Sequence, residues 1–410
     1  MEKYTVIVPT RDRAETLEAT LRTCLRQNYE NFEVIVSDNC SDDNTHDVVR
    51  SLNDPRIRYL NTGRRLSMTG NFEFALHHAD DGFVMFIGSD DGLMPDAVNY
   101  VDSIVKEFNV EAVSCHQATY VWPDFPDKHL AGRLIFESLR SGVEIRKSSD
   151  WIKKALSFES HYCFDLPNLY CGFVHRRVID KATKDGIYFR SITPDAYSAY
   201  ASAIFLNRYA YSFRPFSIAG ASVKSNGASG LNPKSDMSEA ERFLKENDLP
   251  FASGFVNCPS YEVISAEAFS KLAETFPSEC SDFKIDYNKM LEMALLTRNS
   301  KTSHDVVSGV AVMARNFSVD IESLTNNLQS PKSRLKIKRV LPVLKTLLLE
   351  SDKIVEVENT GQFGIRNIDD AALFAHSLRL SRERNGLVTS RARYWRLIRQ
   401  LFGLHGHKTQ

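Results

Sequence analysis

Phe83-Val84-Met85-Phe86-Ile87 is an unbroken apolar run that leads into Gly88-Ser89-Asp90-Asp91-Gly92 and then Leu93-Met94-Pro95. A short, continuous apolar segment of this kind reads as a strand buried on both faces. Gly92 after the acidic pair marks a turn, and Pro95 suits the opening of a helix. A buried strand ending this way places Asp90 and Asp91 at the carboxyl edge of a sheet, where open α/β sheets bind ligands. Two carboxylates there make a hard oxygen site for a divalent cation, and such a cation usually arrives with a phosphate ligand. Taken alone, the pair is equally well explained by a turn residue at 90 and a solvated helix cap at 91.

The preceding residues fit the same sheet. Tyr4-Thr5-Val6-Ile7-Val8 reads as a first, central strand. Asp12 and Glu15 have capping-box spacing, and the helix they open carries Leu17, Leu21, Cys24 and Leu25 on one face. Residues 32–36 form a second strand ending at Ser37-Asp38-Asn39, and a second helix runs to Leu52. Residues 57–60 give a third strand, 61–70 a basic loop and 71–78 a helix. Strand–helix alternation over the first hundred residues argues for a layered α/β fold with a mostly parallel sheet. The strand ends near Thr10, Asp38 and Asp90 then gather along one edge.

Composition narrows the partners. The 410 residues are 43% hydrophobic, enough for two or three domains, and the formal net charge of −1 gives no global field to attract nucleic acid. Seven cysteines without C-x-x-C spacing suit reduced thiols in a cytoplasmic protein. Neither a signal peptide nor a bilayer-length apolar run is found, so a cytoplasmic location is expected.

Three blocks resemble one family. Thr5-Val6-Ile7-Val8-Pro9-Thr10-Arg11-Asp12-Arg13 is similar to the opening of a GT-A fold family 2 glycosyltransferase. The stretch from Gln27 to Asp42, with Val34-Ile35-Val36-Ser37-Asp38-Asn39 at its centre, resembles the second block of that family. Ser89-Asp90-Asp91 with Pro95 resembles its D-x-D metal motif. Three blocks in order are far more specific than any one of them. The resemblance is strong over residues 1–105, weaker to about 230, and absent beyond.

It implies a Rossmann-like, mostly parallel sheet with helices on both faces that holds a nucleoside diphosphate sugar, UDP- or dTDP-linked. Pro9, Thr10, Arg11 and Arg13 would line the nucleotide pocket, and Asp38 would accept a hydrogen bond from the base. Arg64 or Arg65 would lie near the base or phosphates, with nothing in the sequence to choose between them, and Asn71 would support the pocket. Asp91 would ligate Mg²⁺ or Mn²⁺, while Asp90 would bind the ribose or share the metal. Charge develops on the diphosphate as the glycosidic bond breaks, which is what a divalent ion would neutralise. Gly88 stands where many members carry another aspartate.

The second half of this unit reads less clearly. Residues 94–108 form an amphipathic helix, 111–116 a strand, and 120–157 an irregular stretch expected to shape the acceptor site. A helix opens at Ser191-Ile192-Thr193-Pro194-Asp195, with Thr193 suited to cap it. An inverting enzyme needs a base to deprotonate the acceptor hydroxyl, and Asp195 is the candidate; a first-turn aspartate favouring the helix dipole explains the same residue without catalysis. Residues 221–230 read as a loop over the donor, with Lys224 positioned to meet the diphosphate, and the histidine that many relatives carry near here is missing from 213–237.

The organisation expected is a GT-A domain over 1–236, divided into a nucleotide-sugar half (1–105) and an acceptor half (106–236), followed by a C-terminal α-helical region over 237–410. Two basic stretches lie in that region, 332–339 and 391–402, and the second has the pattern of a helix lying on an anionic membrane surface. The function implied is a metal-dependent, inverting transfer of a sugar to a hydroxyl of a glycan or lipid-linked saccharide. Bacterial surface polysaccharide biosynthesis at the inner face of the cell membrane is the setting. A nucleotidyltransferase also uses carboxylates and a metal, but Pro9-Thr10-Arg11-Asp12-Arg13 lacks its Gly-rich signature. A non-catalytic nucleotide-sugar-binding scaffold is the other alternative.

Overall fold

The computed structural model describes residues 1–136, 140–159, 163–225, 238–321, 324 and 355–385. Its centre is an eight-stranded sheet built around β1 (Tyr4–Thr10). The strands are β2 (Phe32–Asp38), β3 (Ile57–Asn61), β4 (Phe83–Phe86), β6 (Ala112–Cys115), β9 (Val143–Lys147), β10 (Phe173–His175) and β11 (Arg208–Ser212). Their order is β3-β2-β1-β4-β10-β6-β11-β9, with β3, β2, β1 and β4 parallel and β10 and β9 running against their neighbours.

A central parallel strand has to be apolar on both faces, because helices cover both. Ile7, Ile35, Val84 and Phe86 point into one core beneath α3 (Met68–Leu76) and α7 (Pro194–Ile204). Val6, Val8, Val34, Val36 and Met85 point into the other, beneath α1 (Ala14–Leu25) and α4 (Ala97–Phe108). The α/β architecture expected from the sequence is the one observed.

Local expectations fare less evenly. The capping box at Asp12 and Glu15 does not form. Asp12 adopts a positive φ of 52° and α1 starts at Ala14, whose N–H donates to Asp43 Oδ2 at 2.9 Å. Asp12 instead accepts from the Asp42 N–H at 2.7 Å, so a contact between two loops replaces the local cap. Thr193 is the N-cap of α7 but makes no side-chain capping bond. Pro95 does not open α4, which begins two residues later. The intervening chain is used in a second sheet: β5 (Gly92–Leu93) pairs with β12 (Ser217–Ala221), and the Met94 N–H donates to the Phe216 carbonyl at 2.9 Å.

That second sheet also takes up the stretch expected to be irregular. β7 (Ala118–Val121) and β8 (Arg133–Phe136) join it, β9 completes the first sheet, and α5 (Ser148–Leu156) follows. Its last strand comes from the far end of the chain: β13 (Val355–Val357) lies antiparallel to β8. The C-terminal region is therefore not purely helical. Helices α8 (Ser238–Glu246), α9 (Tyr261–Thr275), α10 (Pro277–Cys280), α11 (Tyr287–Thr297) and α12 (Ser303–Asn316) precede β13, and α13 (Ile368–Asn385) follows it. Val263, Met290, Leu291, Val310 and Met313 share a separate core among these helices.

α13 returns to the first helix. Arg26 grips Asp369 with two bonds of 2.6 and 2.7 Å. Half-exposed at the arginine, that pair contributes about 1 kcal/mol or less. The main attachment is apolar, through Ile368, Phe374, Ala375 and Leu378 packed on Tyr120, Trp122 and Ile218. Among the described residues no helix is long and apolar enough to cross a membrane. Residues 332–339 and 391–402 lie outside the described residues.

Candidate active site

Strand register builds the site. Thr10 sits opposite Asp38, Pro9 opposite Ser37, and Ile7 opposite Phe86, so the ends of β1, β2 and β4 emerge together. Asp38 is buried and held by three donors: the Ser41 N–H to Oδ1 (2.9 Å), and the Tyr59 hydroxyl (2.5 Å) and Asn61 amide (3.3 Å) to Oδ2. A carboxylate offers about four lone-pair sites, so one on Oδ1 remains for a ligand. Asn71 accepts from the Ser37 hydroxyl at 2.7 Å, which ties α3 to the end of β2. Thr10 is buried at 3% exposure, and among the described residues its hydroxyl has no partner. A buried hydroxyl without a bond costs about 1–3 kcal/mol, so this strand end is short of a ligand group.

Basic side chains surround that edge, and the structure separates Arg64 from Arg65. Both are exposed: Arg65 reaches back over the β1 end to Asp12 Oδ2 (3.0 Å) and Asp42 Oδ2 (2.5 Å), while the Arg64 carbonyl accepts from the Thr62 hydroxyl at 2.7 Å. Arg13 donates to the Lys224 carbonyl and stands 3.9 Å from Asp90 Oδ1. Lys224 itself reaches the Asp12 carbonyl (2.7 Å) and Glu15 (2.6 Å). Arg11 pairs with Glu246 of α8, a partner the sequence did not suggest. The chain after β12 thus lies across the loop after β1.

The two adjacent carboxylates have different surroundings. Asp91 takes the Gly220 N–H on Oδ1 (2.7 Å), and the Gly88 N–H (2.8 Å) and Tyr170 hydroxyl (2.5 Å) on Oδ2. Burial, and then the charge of Asp90, raise its pKa to about 6. Asp90 has side-chain neighbours that a ligand can displace: the Ser222 hydroxyl at 2.6 Å, the Ser225 hydroxyl, and Arg13. Its backbone carbonyl is fixed by Trp122 Nε1 at 3.1 Å, and Gly220 packs so closely over it that a Cβ there would overlap.

This donor set bears on a divalent cation. Among the described residues no three His, Cys, Asp or Glu side chains cluster as a complete cage. Mg²⁺ and Mn²⁺ sites with phosphate substrates commonly need only one or two carboxylates, the substrate and water supplying the rest. Asp90 fits that role. Asp91, whose three protein donors leave one position on Oδ1, is the less available of the two.

Asp195 occupies the first turn of α7 and is partly buried. One turn on, Ser198 of α7 and the Tyr170 N–H both donate to Asn168 Oδ1 at 2.8 Å, which ties the start of α7 to the loop whose Tyr170 holds Asp91. Helix α9 runs beside α7: Tyr200 bonds Ser265 at 2.8 Å, and Phe205 packs on Phe276. The first turns of both helices therefore open together. Tyr261 stands in the first turn of α9; burial and then the Asp195 charge raise its pKa to about 12, while 45% of its surface stays open. The buried Glu267 of α9 accepts from the Ser191 hydroxyl at 2.6 Å and steadies the loop ahead of Asp195. Tyr170, Ser222, Ser225, Tyr261 and Glu267 were not singled out from the sequence, where only the departure at Gly88 hinted at an unusual partner.

Residues 5–164 match the family model for glycosyl transferase family 2. A Campylobacter jejuni GalNAc(5)-diNAcBac-PP-undecaprenol beta-1,3-glucosyltransferase is 38% identical over 102 residues, covering 24% of this chain and 33% of the relative. The Escherichia coli UDP-Glc:alpha-D-GlcNAc-diphosphoundecaprenol beta-1,3-glucosyltransferase WfgD is 33% identical over 93 residues, 22% of this chain and 37% of that one. The chain thus spans about a third of the length of these curated relatives. Among solved structures, S. aureus TarS 1-349 in complex with UDP-GlcNAc aligns with a TM-score of 0.43 at 15% identity, over 77% of this chain and 89% of that one. The chain carries a glycosyl transferase family 2 domain over residues 5–164.

Proposed function

We propose that this protein transfers a sugar from a nucleoside diphosphate sugar to a hydroxyl of a lipid-linked saccharide, with inversion, in bacterial surface polysaccharide assembly. The observation that carries the reading is the meeting of Thr10, Asp38 and Asp90 on one sheet edge inside the family-matched segment. The names of the two relatives, both acting on undecaprenol-linked saccharides, support the acceptor class.

In this reading Asp38 accepts from the base, UDP- or dTDP-linked, and the Thr10 hydroxyl gains the bond it lacks. Arg13 and Lys224 face the diphosphate, and Asp90 holds Mg²⁺ or Mn²⁺. That ion, when bound, offsets the negative charge of the leaving diphosphate. Asp195 takes the proton of the acceptor hydroxyl. The acceptor oxygen bonds to the anomeric carbon as the carbon–oxygen bond to the diphosphate breaks, and the nucleoside diphosphate leaves with the electron pair. The acceptor enters between the first turns of α7 and α9, beside the half-exposed Tyr261, against which a sugar would pack. The enzyme would work at the inner face of the cell membrane.

The test is thermal stabilisation by UDP-, GDP-, dTDP- and CMP-sugars, each with Mn²⁺ and with EDTA. One nucleotide is expected to stabilise, and only with the metal; at a hundredfold excess over Kd the gain is about 2.7 kcal/mol. Metal-independent stabilisation would remove the cation from the reading, and a flat panel would remove the donor. Stabilisation without turnover on any undecaprenol-linked acceptor would favour the scaffold alternative. Separately, Tyr261→Ala should raise the acceptor KM about tenfold at unchanged donor affinity, by loss of a stacking contact worth about 1–1.5 kcal/mol; an unchanged acceptor KM would move the acceptor path elsewhere.

A further inference from the structure

Position 88 is enclosed by oxygen atoms. A Cβ on Gly88 would stand 2.7 Å from the Tyr170 hydroxyl and 3.0 Å from both Asp90 Oδ1 and Asp91 Oδ2. The backbone does not demand glycine here, because Gly88 is not among the residues of positive φ. The bar to a side chain is therefore steric, and its nearest atom is the phenol oxygen.

Tyr170 has little freedom to move aside. The residues on either side of it are stitched to the end of β4: the Phe86 N–H donates to the Leu169 carbonyl (2.7 Å), and the Cys171 N–H to the Phe86 carbonyl (2.8 Å). Its own N–H donates to Asn168 Oδ1 at 2.8 Å. The ring then delivers its hydroxyl to Asp91 Oδ2 at 2.5 Å. Burial, and next the Asp91 charge, hold the phenol pKa well above its usual value, so it remains a donor.

We propose that Gly88 and Tyr170 act as one unit: the phenol occupies the volume a side chain at 88 would take, ties down Asp91, and leaves Asp90 as the one carboxylate of the turn presented to the donor. Tyr170 is thus a positioning residue, acting through Asp91 on the geometry of Asp90. A side chain at 88 and the phenol of Tyr170 compete for one space, so the pair sets how firmly Asp91 is tied down beside Asp90. This proposal rests on the donor-site reading given above.

The experiment compares four full-length proteins, wild type, Gly88→Ala, Tyr170→Phe and the double variant, for UDP affinity in Mn²⁺ by calorimetry and for thermal midpoint. Gly88→Ala should weaken UDP binding about tenfold by displacing the phenol, and Tyr170→Phe about threefold by removing one of the two donors on Asp91 Oδ2. The double variant should bind no worse than Tyr170→Phe alone, because the phenol oxygen that obstructs the new methyl group is gone. A packing role alone would lower the midpoints and leave UDP affinity unchanged, overturning the positioning role. Multiplicative losses in the double variant, or full affinity in Gly88→Ala, would overturn the coupling. If none of the four nucleotides in the stabilisation panel binds wild type, the donor reading fails, and with it the service of the unit to a donor. The midpoints then still decide the unit itself: rescue of Gly88→Ala by Tyr170→Phe upholds it, and additive losses overturn it.

Discussion

Asp90→Asn should cost donor affinity and leave stability nearly intact, whereas Asp91→Ala should do the reverse first. Asp90 shares its oxygens with two serine hydroxyls and the distant edge of Arg13, all of which can re-form bonds to an amide or to water. Its charge matters when the diphosphate and its cation are present. Removing one partner of a desolvated charge contact costs about 2–5 kcal/mol, which is a factor of roughly 30 to several thousand in affinity for UDP with Mn²⁺. Calorimetry on Asp90→Asn checks this, and affinity within threefold of wild type would take Asp90 out of the donor site.

Asp91→Ala orphans three donors at once, the Gly88 and Gly220 N–H groups and the Tyr170 hydroxyl. Each orphan costs about 1–3 kcal/mol. Against that, the mutation relieves the cost of keeping a buried carboxylate ionised next to Asp90. That relief depends on pH, and its sign follows from the pKa. The folded value, about 6, lies above the ordinary one of 3.8, so the native state holds the extra proton between them. The stability Asp91 contributes is full below pH 3.8, falls through that window, and is lost above about pH 6. Asp91→Ala should therefore destabilise more at pH 4.5 than at pH 7.5, by roughly 2 kcal/mol. Thermal midpoints of wild type and variant at the two pH values decide it, and an equal or larger loss at pH 7.5 would mean that Asp91 is not held protonated by its surroundings.

The contrast between the two aspartates also marks what the sequence could reveal. β1, β2 and β4 were legible because strands covered on both faces must be continuously apolar, and their polar ends located the site edge. β5, β7, β8 and β12 were not, being two to five residues long with polar and small residues interleaved. The different roles of Asp90 and Asp91 were beyond reach because the groups that separate them are remote: Tyr170 lies 79 residues and Gly220 129 residues from Asp91. Arg64 and Arg65 differ only in which way their neighbouring side chains point, something no spacing encodes. The capping box at Asp12 failed for a related reason, since its loop found partners at Asp42 and Arg65. β13 pairs with β8 across more than two hundred residues, and no local pattern announces it.

Asp195→Asn provides the clearest division between chemistry and packing. As the base, Asp195 acts only on the proton of the acceptor hydroxyl, so donor affinity should be unchanged while kcat falls by about 10²–10⁴. As a helix-dipole partner in the first turn of α7, it would contribute only about 0.3–1 kcal/mol to stability. That would shift the thermal midpoint by a few degrees at most and leave turnover almost intact. Asparagine keeps the shape and removes only the charge, so the two roles separate in one variant by what is lost, kcat or midpoint. Turnover of an undecaprenol-linked acceptor, measured with UDP affinity and thermal midpoint on the same protein, gives the answer. Loss of kcat alone assigns the base to Asp195. Retained kcat with a lowered midpoint returns it to the helix, and the search for a base would move to the other groups facing the acidic turn from α7 and α9.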